Sequence, residues 1–192
     1  MSSGNEVVAA KPTSWRGQAV QLAAIVAVVF LAKGAIAEPF YVPSGSMEPT
    51  LLIGDALVAS KYPYGYGAAS LPIQITLPET GRVFGETPKR GDVVVFRWPG
   101  DRSQAWVKRV VGLPGDRIGF HGDTLYINDE PLRYELIGKY EGKGRGRDMS
   151  GSTLLTEELP GRAHTVLEWV DRANPAGQGD WLVPEGHYFV MG

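Results

Sequence analysis

The sequence predicts a mainly β protein that follows one apolar segment near its N-terminus, and two observations support this prediction. The 192-residue chain contains 25 glycines and 14 prolines, a usage typical of many tight turns between short strands. Short apolar runs bounded by Gly, Pro or Asp recur in the second half of the chain, beginning with Val93-Val94-Val95-Phe96. We therefore expect a β-rich domain after residue 38.

The composition excludes several classes of function. A net charge of -2 gives no reason to expect a nucleic-acid partner. The absence of cysteine excludes a thiol nucleophile, disulfides and thiolate metal sites. His121, His164 and His187 are scattered without ligand spacing, so we expect them to be structural or surface residues. The sequence thus implies no metal and no other cofactor.

The apolar segment runs without charge from Gly17 to Ala32. A helix of that length reaches about 24 Å, and its extension to Ala37 reaches about 31 Å, close to the thickness of a bilayer core. Lys33 would then snorkel towards the headgroups. Because Lys11 and Arg16 precede the segment, the positive-inside rule places the N-terminus in the cytoplasm. This predicts a cytoplasmic segment 1–16, a transmembrane helix 17–37 in the lipid bilayer and an extracytoplasmic domain 38–192.

The same segment has a competing interpretation as a cleaved secretory signal. Ala35-Ile36-Ala37 has the A-x-A form of a cleavage site, and a basic start precedes the apolar run. The run slightly exceeds the length usual for such signals, which favours a retained anchor. A mature chain that starts at Glu38 would establish the cleaved signal.

Alternating and apolar patterns predict the strands of the domain. A strand at Trp106–Val111 ends at the Pro114-Gly115-Asp116 turn, and glycine-rich stretches at 62–89 and 138–152 predict irregular loops. The remaining predicted strands are Val93–Phe96, a hairpin of Arg117–Phe120 with Thr124–Asn128, Thr165–Val170 and His187–Met191.

Lys108 stands out within the strand at Trp106–Val111. Alternation places Trp106, Lys108 and Val110 on one face, so the lysine is either partly buried or solvated at an edge. Burial lowers the pKa of a lysine and makes a neutral amine available as a general base. Arg109 lies on the opposite face, where we expect a surface or ion-paired residue.

Two serines close to the apolar segment form a second candidate site. In an extended segment Ser44 and Ser46 would project to the same side, with Gly45 allowing a ligand to approach the backbone. One hydroxyl could attack a carbonyl while the other stabilises the oxyanion. A polar turn without catalytic function would explain the same residues.

Three segments in order resemble the sequence boxes of bacterial signal peptidase I, the membrane-bound leader peptidase. Pro43-Ser44-Gly45-Ser46-Met47, followed by Pro49-Thr50-Leu51, resembles the nucleophile box of that family. Arg90–Phe96, with the sequence RGDVVVF, is similar to its next box. Lys108–Asp116, with the sequence KRVVGLPGD, is similar to the box that carries the general base. The resemblance extends from about residue 20 to Gly192.

The resemblance implies roles for individual residues. Ser46 would be the nucleophile, Lys108 the general base, and Ser44 a donor to the oxyanion beside the Ser46 backbone N–H. The residues implied to line the shallow pocket for the small residue before the cut are Met47, Leu51 and Val107.

The resemblance also implies an architecture and a substrate. The expected fold is a membrane-anchored, β-rich catalytic core with a second β domain inserted at about residues 119–184. The expected substrates are the signal peptides of exported preproteins, cut after A-x-A at the bacterial plasma membrane. The family needs no metal, nucleotide or other cofactor, and no nucleic acid.

Two further expectations concern activity. The family continues into a box of the form G-D-N-R-x-x-S-x-D-S-R, and Gly192 matches its first residue, so the sequence resembles a fragment. An inactive membrane-tethered fragment is therefore one alternative. A Ser-Lys self-cleaving regulator is another, although the apolar segment and the lack of a DNA-binding segment count against it.

Overall fold

A computed structural model of the chain describes residues 14–66, 82, 84–168 and 178–192. One helix, α1, precedes twelve strands within this part of the chain, so the prediction of a mainly β fold is confirmed. The elements are α1 Trp15–Ala35, β1 Ala37–Tyr41, β2 Ala56–Ser60, β3 Val93–Trp98, β4 Asp101–Gly112, β5 Arg117–His121, β6 Thr124–Ile127, β7 Glu130–Pro131, β8 Arg133–Lys139, β9 Thr153–Leu159, β10 Arg162–Glu168, β11 Gly179–Leu182 and β12 Phe189–Met191.

Helix α1 ends earlier than predicted, at Ala35 rather than Ala37. Ala37 instead begins β1 and pairs with Ser60 of β2, and the Ile36 carbonyl accepts a hydrogen bond from the Lys61 N–H at 3.0 Å. The backbone after Ala35 is therefore used by a sheet and is unavailable to the helix. Among the described residues, no helix is both long and apolar enough to cross a membrane, so the predicted span is not confirmed.

Strand β4 is the middle strand of a three-stranded antiparallel sheet in the order β12-β4-β3. It begins at Asp101, five residues before the predicted start at Trp106. The Trp98 and Trp106 rings stack with centroids 5.0 Å apart and an interplanar angle of 4°, which extends the β3–β4 ribbon beyond its apolar residues. Lys108 therefore lies on the central strand, next to residues that pair with β3 on one side and with β12 on the other.

The predicted hairpin is confirmed, because β5 and β6 pair antiparallel from Ile118–Ile127 to His121–Thr124. They belong to a four-stranded sheet in the order β11-β5-β6-β7. This sheet packs against the end of β4 and forms the main core. The buried side chains of that core are Val111, Ile118, Phe120, Leu125, Ile127, Leu132, Leu159 and Val183.

Strands β8, β9 and β10 form a third sheet. The strand predicted at Thr165–Val170 corresponds to β10, which starts at Arg162, while residues 169–177 lie outside the described part. The loop predicted at 138–152 is wrong in part: β8 runs to Lys139, and residues Gly144–Met149 form a 3-10 helix, named here the 144–149 turn. Most of the loop predicted at 62–89 lies outside the described residues.

Candidate active site

Ser46 lies in the middle of a 3-10 helix, Gly45–Met47, which we name the serine turn. The Glu48 N–H donates to the Gly45 carbonyl at 3.0 Å and closes this turn. Ser44, just before the turn, has an extended backbone with φ -136° and ψ 157°, and so does Glu48 just after it. The expectation that Ser44 and Ser46 share one extended segment is therefore wrong, because the turn hydrogen bond rotates the chain between them.

The fold brings Lys108 directly to Ser46, although the two residues are 62 positions apart. The Lys108 Nζ lies 2.8 Å from the Ser46 Oγ. An ammonium would donate a hydrogen bond across this distance, whereas a neutral amine would accept the hydroxyl proton of the serine. The two residues that the sequence selected separately thus form a hydrogen-bonded pair.

The surroundings of Lys108 favour its neutral form. Its side chain is half-buried, and this burial lowers the pKa of the amine below its ordinary value. The Trp106 ring centroid lies 6.0 Å from the Nζ, at the outer limit of a cation–π contact, which acts in the opposite direction by favouring the ammonium. Among the described residues, Lys108 forms no ion pair with a carboxylate that would stabilise the charged form. Of the two possibilities that the sequence left open, a partly buried lysine and one solvated at an edge, the structure has the first.

Gly192 lies against both members of the pair. Its carbonyl accepts a hydrogen bond from the Lys108 Nζ at 3.2 Å. A Cβ atom at Gly192 would lie 2.6 Å from the Met47 Sδ, 3.0 Å from the Lys108 Cδ and 3.1 Å from the Ser46 carbonyl oxygen. These distances are shorter than ordinary contacts, so a side chain at this position would displace its neighbours.

The remaining predicted site residues lie around the pair. Ser44 is exposed, and its hydroxyl does not cap the serine turn. Met47 is buried, with 4% of its surface exposed, while Leu51 is half-buried. Val107 precedes Lys108 on β4 and pairs with Val95 of β3. Alternation places the Val107 side chain on the face of β4 opposite to Lys108.

A buried carboxylate lies behind the serine turn, and the sequence did not reveal it. Glu48 is 6% exposed, and its Oε2 accepts a hydrogen bond from the Tyr140 hydroxyl at 3.2 Å. Burial, together with the charge of Glu48, raises the pKa of Tyr140. Because Tyr140 follows Glu48 by 92 positions, no local pattern could have indicated this contact.

We expected a surface or ion-paired residue at Arg109, whereas it is buried, and in the part of the chain that the structure describes its side chain is held by hydrogen bonds rather than by an ion pair. Its Nη1 donates to the Gly91 carbonyl at 2.9 Å and its Nη2 donates to the Thr50 Oγ1 at 3.2 Å. Arg109 thereby connects β4 with the segment that follows the serine turn. Burial lowers the pKa of this guanidinium.

The two turn aspartates act as turn-forming residues. The Asp92 Oδ2 accepts from the Lys89 N–H at 2.9 Å. The Asp116 Oδ2 accepts from the Leu113 N–H at 2.6 Å and lies 3.0 Å from the Arg90 guanidinium. These contacts fix the turns before β3 and after β4, and with them the C-terminal end of the strand that carries Lys108.

The histidines lie apart from the Ser46–Lys108 pair. His121 contacts Asp180 at 3.0 Å, and His164 contacts Glu157 at 3.3 Å. The described part of the chain contains no group of three or more His, Asp or Glu side chains that could hold a metal ion.

Comparison with known proteins places this site in a family. A family model described as signal peptidase, peptidase S26, matches residues 15–192. Signal peptidase I of Rickettsia typhi is 37% identical over 176 residues, which cover 88% of this chain and 65% of that protein. Signal peptidase I of Pseudomonas fluorescens is 37% identical over 168 residues, which cover 86% of this chain and 54% of that protein. The chain thus spans about half to two thirds of the length of these curated relatives. It belongs to the signal peptidase family, peptidase S26.

Proposed function

We propose that this protein is a serine endopeptidase that removes N-terminal signal peptides from exported preproteins. The observation that carries the proposal is the 2.8 Å contact between the Ser46 Oγ and a half-buried Lys108 Nζ in a member of this family. Ser46 would be the nucleophile and Lys108 the general base. A lysine whose pKa is lowered by burial can perform this role without a histidine.

The proposed reaction uses the pair in two steps. The Ser46 Oγ attacks the carbonyl carbon of the scissile bond while its proton moves to the Lys108 Nζ. The C–N bond then breaks, the leaving amine takes that proton, and an ester remains on Ser46. Water attacks the ester, Lys108 takes a proton from the water, and the serine oxygen leaves with a proton returned from the ammonium.

The oxyanion of each tetrahedral intermediate needs hydrogen-bond donors. The Ser46 backbone N–H belongs to the first turn of the short Gly45–Met47 helix, where N–H groups have no partner within the helix. We assign the second donor to the Ser44 hydroxyl, which is exposed and does not cap the turn. Two such donors stabilise the developing negative charge.

Substrate would bind as an added strand beside β4. An extended peptide beside β4 would place its backbone next to Lys108. Small residues before the cut would contact a shallow apolar pocket, which we assign to Met47, Leu51 and Val107, although the Val107 side chain must reach it from the face of β4 opposite to Lys108.

Location at the bacterial plasma membrane, with the β-rich part outside the cytoplasm, belongs to the same proposal. Apolar side chains along α1 are exposed, among them Val20 at 69%, Leu22 at 64% and Val28 at 64%. Contact with lipid would remove this apolar surface from water. The segment 119–184, which contains the sheet β8-β9-β10, would be the β domain inserted into the catalytic core.

The test is preprotein cleavage by the purified protein, expressed with whatever residues its gene encodes after Gly192. The substrate carries an A-x-A signal peptide, and mass spectrometry locates the cut. We expect Ser46→Ala and Lys108→Ala to lower the rate by about 10³-fold or more. Ser60→Ala and Lys139→Ala are matched controls, because both side chains are exposed and lie on β2 and β8 rather than on the strand that carries Lys108.

Two results would contradict the proposal. Unchanged cleavage by Ser46→Ala or Lys108→Ala would show that the pair does not perform the chemistry. Binding of the signal peptide without turnover by the wild-type protein would favour the inactive, tethered alternative.

A further inference from the structure

The carboxylate of Glu48 lies between two glycines that belong to different turns. A Cβ atom at Gly45, in the serine turn, would lie 3.3 Å from the Glu48 Oε1. A Cβ atom at Gly146, in the 144–149 turn, would lie 2.6 Å from the Glu48 Oε2 and even closer to the Oε1. The carboxylate therefore fills the space between the two turns, and only glycine fits at Gly146 without displacing it.

This carboxylate is nearly inaccessible to solvent and incompletely paired. Glu48 is 6% exposed, and among the described residues its Oε1 has no hydrogen-bond partner, while its Oε2 accepts from Tyr140. A buried carboxylate with a free oxygen is costly, and an apolar side chain would avoid that cost. Its position between the turns is therefore better explained by a functional requirement than by stability.

The partners of Glu48 are themselves fixed. The Tyr140 N–H donates to the Ser152 carbonyl at 2.9 Å, and the Gly151 N–H donates to the Tyr140 carbonyl at 2.9 Å. The Gly142 N–H donates to the Ser150 Oγ at 3.0 Å, which closes the loop that carries the 144–149 turn. A rigid loop thus holds the Glu48 carboxylate against the back of the serine turn.

We infer that Glu48 is a positioning residue for Ser46, and that the 144–149 turn fixes the serine turn through the Glu48 carboxylate. This inference rests on the proposed role of Ser46. Within the serine turn, Gly45 lies against the Glu48 carboxylate and Ser46 contacts Lys108, so displacement of Glu48 would lengthen the 2.8 Å contact between the Ser46 Oγ and the Lys108 Nζ. The segment between β8 and β9 therefore contributes to catalysis without touching the substrate.

The test compares four variants of the full chain. Gly146→Ala adds a methyl group that must displace the carboxylate, and Glu48→Ala removes the carboxylate. The double variant Glu48→Ala with Gly146→Ala restores room for the methyl group. Arg147→Ala is the matched control, because Arg147 is exposed on the same turn.

The first measurement is the dependence of signal-peptide cleavage on substrate concentration and pH. We expect Gly146→Ala and Glu48→Ala to lower kcat by about 10 to 100-fold, since a misplacement of about 1 Å costs that much, while KM stays near the wild-type value. The pH at half-maximal rate should not move, because the burial of Lys108 is unchanged. The double variant should be faster than Gly146→Ala alone.

The second measurement does not depend on activity. The Leu51 N–H donates to the Met47 carbonyl at 2.9 Å across the end of the serine turn, and its hydrogen–deuterium exchange reports the stability of that turn. We expect exchange to be about tenfold faster in Gly146→Ala and unchanged in Arg147→Ala. This result would support the coupling even if the protein cleaved no signal peptide, a failure that would count against the proposed function alone.

Three outcomes would overturn the inference. The first is wild-type kcat and Leu51 exchange in Gly146→Ala and Glu48→Ala. The second is a double variant whose loss equals the product of the single losses, because independent effects exclude a shared contact. The third is a loss of activity that is explained by a lower Tm alone, so that activity returns to the wild-type value when the assay is run at a lower temperature.

Discussion

Replacement of Gly192 by alanine tests whether the close packing around the Ser46–Lys108 pair controls the rate. The new methyl group would lie 3.0 Å from the Lys108 Cδ and 3.1 Å from the Ser46 carbonyl oxygen, where ordinary contacts begin at about 3.4 Å. The flexible Met47 side chain can move, whereas the serine turn and the Lys108 stem must separate by several tenths of an ångström. We expect the Ser46 Oγ and the Lys108 Nζ to move apart by about 0.5 to 1 Å.

The expected loss follows from that displacement. A misplacement of about 1 Å costs on the order of 10²-fold in rate, or about 2.7 kcal/mol of activation free energy. The assay is the kcat for cleavage of a fluorogenic A-x-A peptide at saturating substrate. Gly186→Ala is the control: its φ of 72° makes alanine unfavourable, but no atom lies within 4 Å of the added Cβ, so stability should fall while kcat stays unchanged. A kcat for Gly192→Ala within twofold of wild type would refute the reasoning.

Three further predictions concern charged groups. The cleavage rate should rise with pH as Lys108 loses its proton, with a midpoint below the ordinary pKa of 10.5 because burial lowers the pKa of that amine; a midpoint at or above 10.5 would exclude this cause. Burial lowers the pKa of His164 from 6.5 to about 4, so between these values the unfolded chain binds more protons and stability falls as the pH falls. When the pH is lowered from 7 to 4, the free energy of unfolding should therefore fall less in His164→Gln than in wild type, and the difference should be about 3 kcal/mol. Equal losses in the two proteins, measured by urea titration, would contradict the lowered pKa of His164. Asp116→Ala should lower the free energy of unfolding by about 3 kcal/mol at pH 7, because the Leu113 N–H and the Arg90 guanidinium lose a buried acceptor. A change below about 0.5 kcal/mol in urea denaturation would show that water replaces the lost carboxylate.

Local patterns predicted six of the twelve described strands, those that carry a short apolar run, whereas β7 and most of β8 are exposed and carry no such signal. Val93–Phe96 and the β5–β6 hairpin lie where alternation and turn residues placed them. The start of β4 could not be predicted in the same way, since Asp101–Ala105 carries no apolar pattern. It is a strand because Trp98 and Trp106 stack across the ribbon, and that contact depends on the pairing register.

Part of the site could also be predicted, because some of its residues stand out in the local sequence. The motif around Ser46 and the unusual position of Lys108 could be read from sequence, and the fold joins them at 2.8 Å. The conformation of the serine turn could not be predicted, because a single backbone hydrogen bond, from the Glu48 N–H to the Gly45 carbonyl, distinguishes a 3-10 helix from an extended segment. The contact between Glu48 and Tyr140 depends on the path of a 92-residue connection, which no local pattern encodes.

The contact between the Lys108 Nζ and Gly192 determines how the hydrogen atoms of the amine can be arranged during the proposed reaction. A neutral amine has two N–H bonds and one lone pair: the lone pair can face the Ser46 hydroxyl, and one N–H can face the Gly192 carbonyl. After the proton moves, the ammonium has three N–H bonds, of which two face the same oxygen atoms. The third N–H is not used by either contact. In the proposed reaction, the lysine could therefore pass a proton to the leaving amine while its contacts with Ser46 and Gly192 are kept.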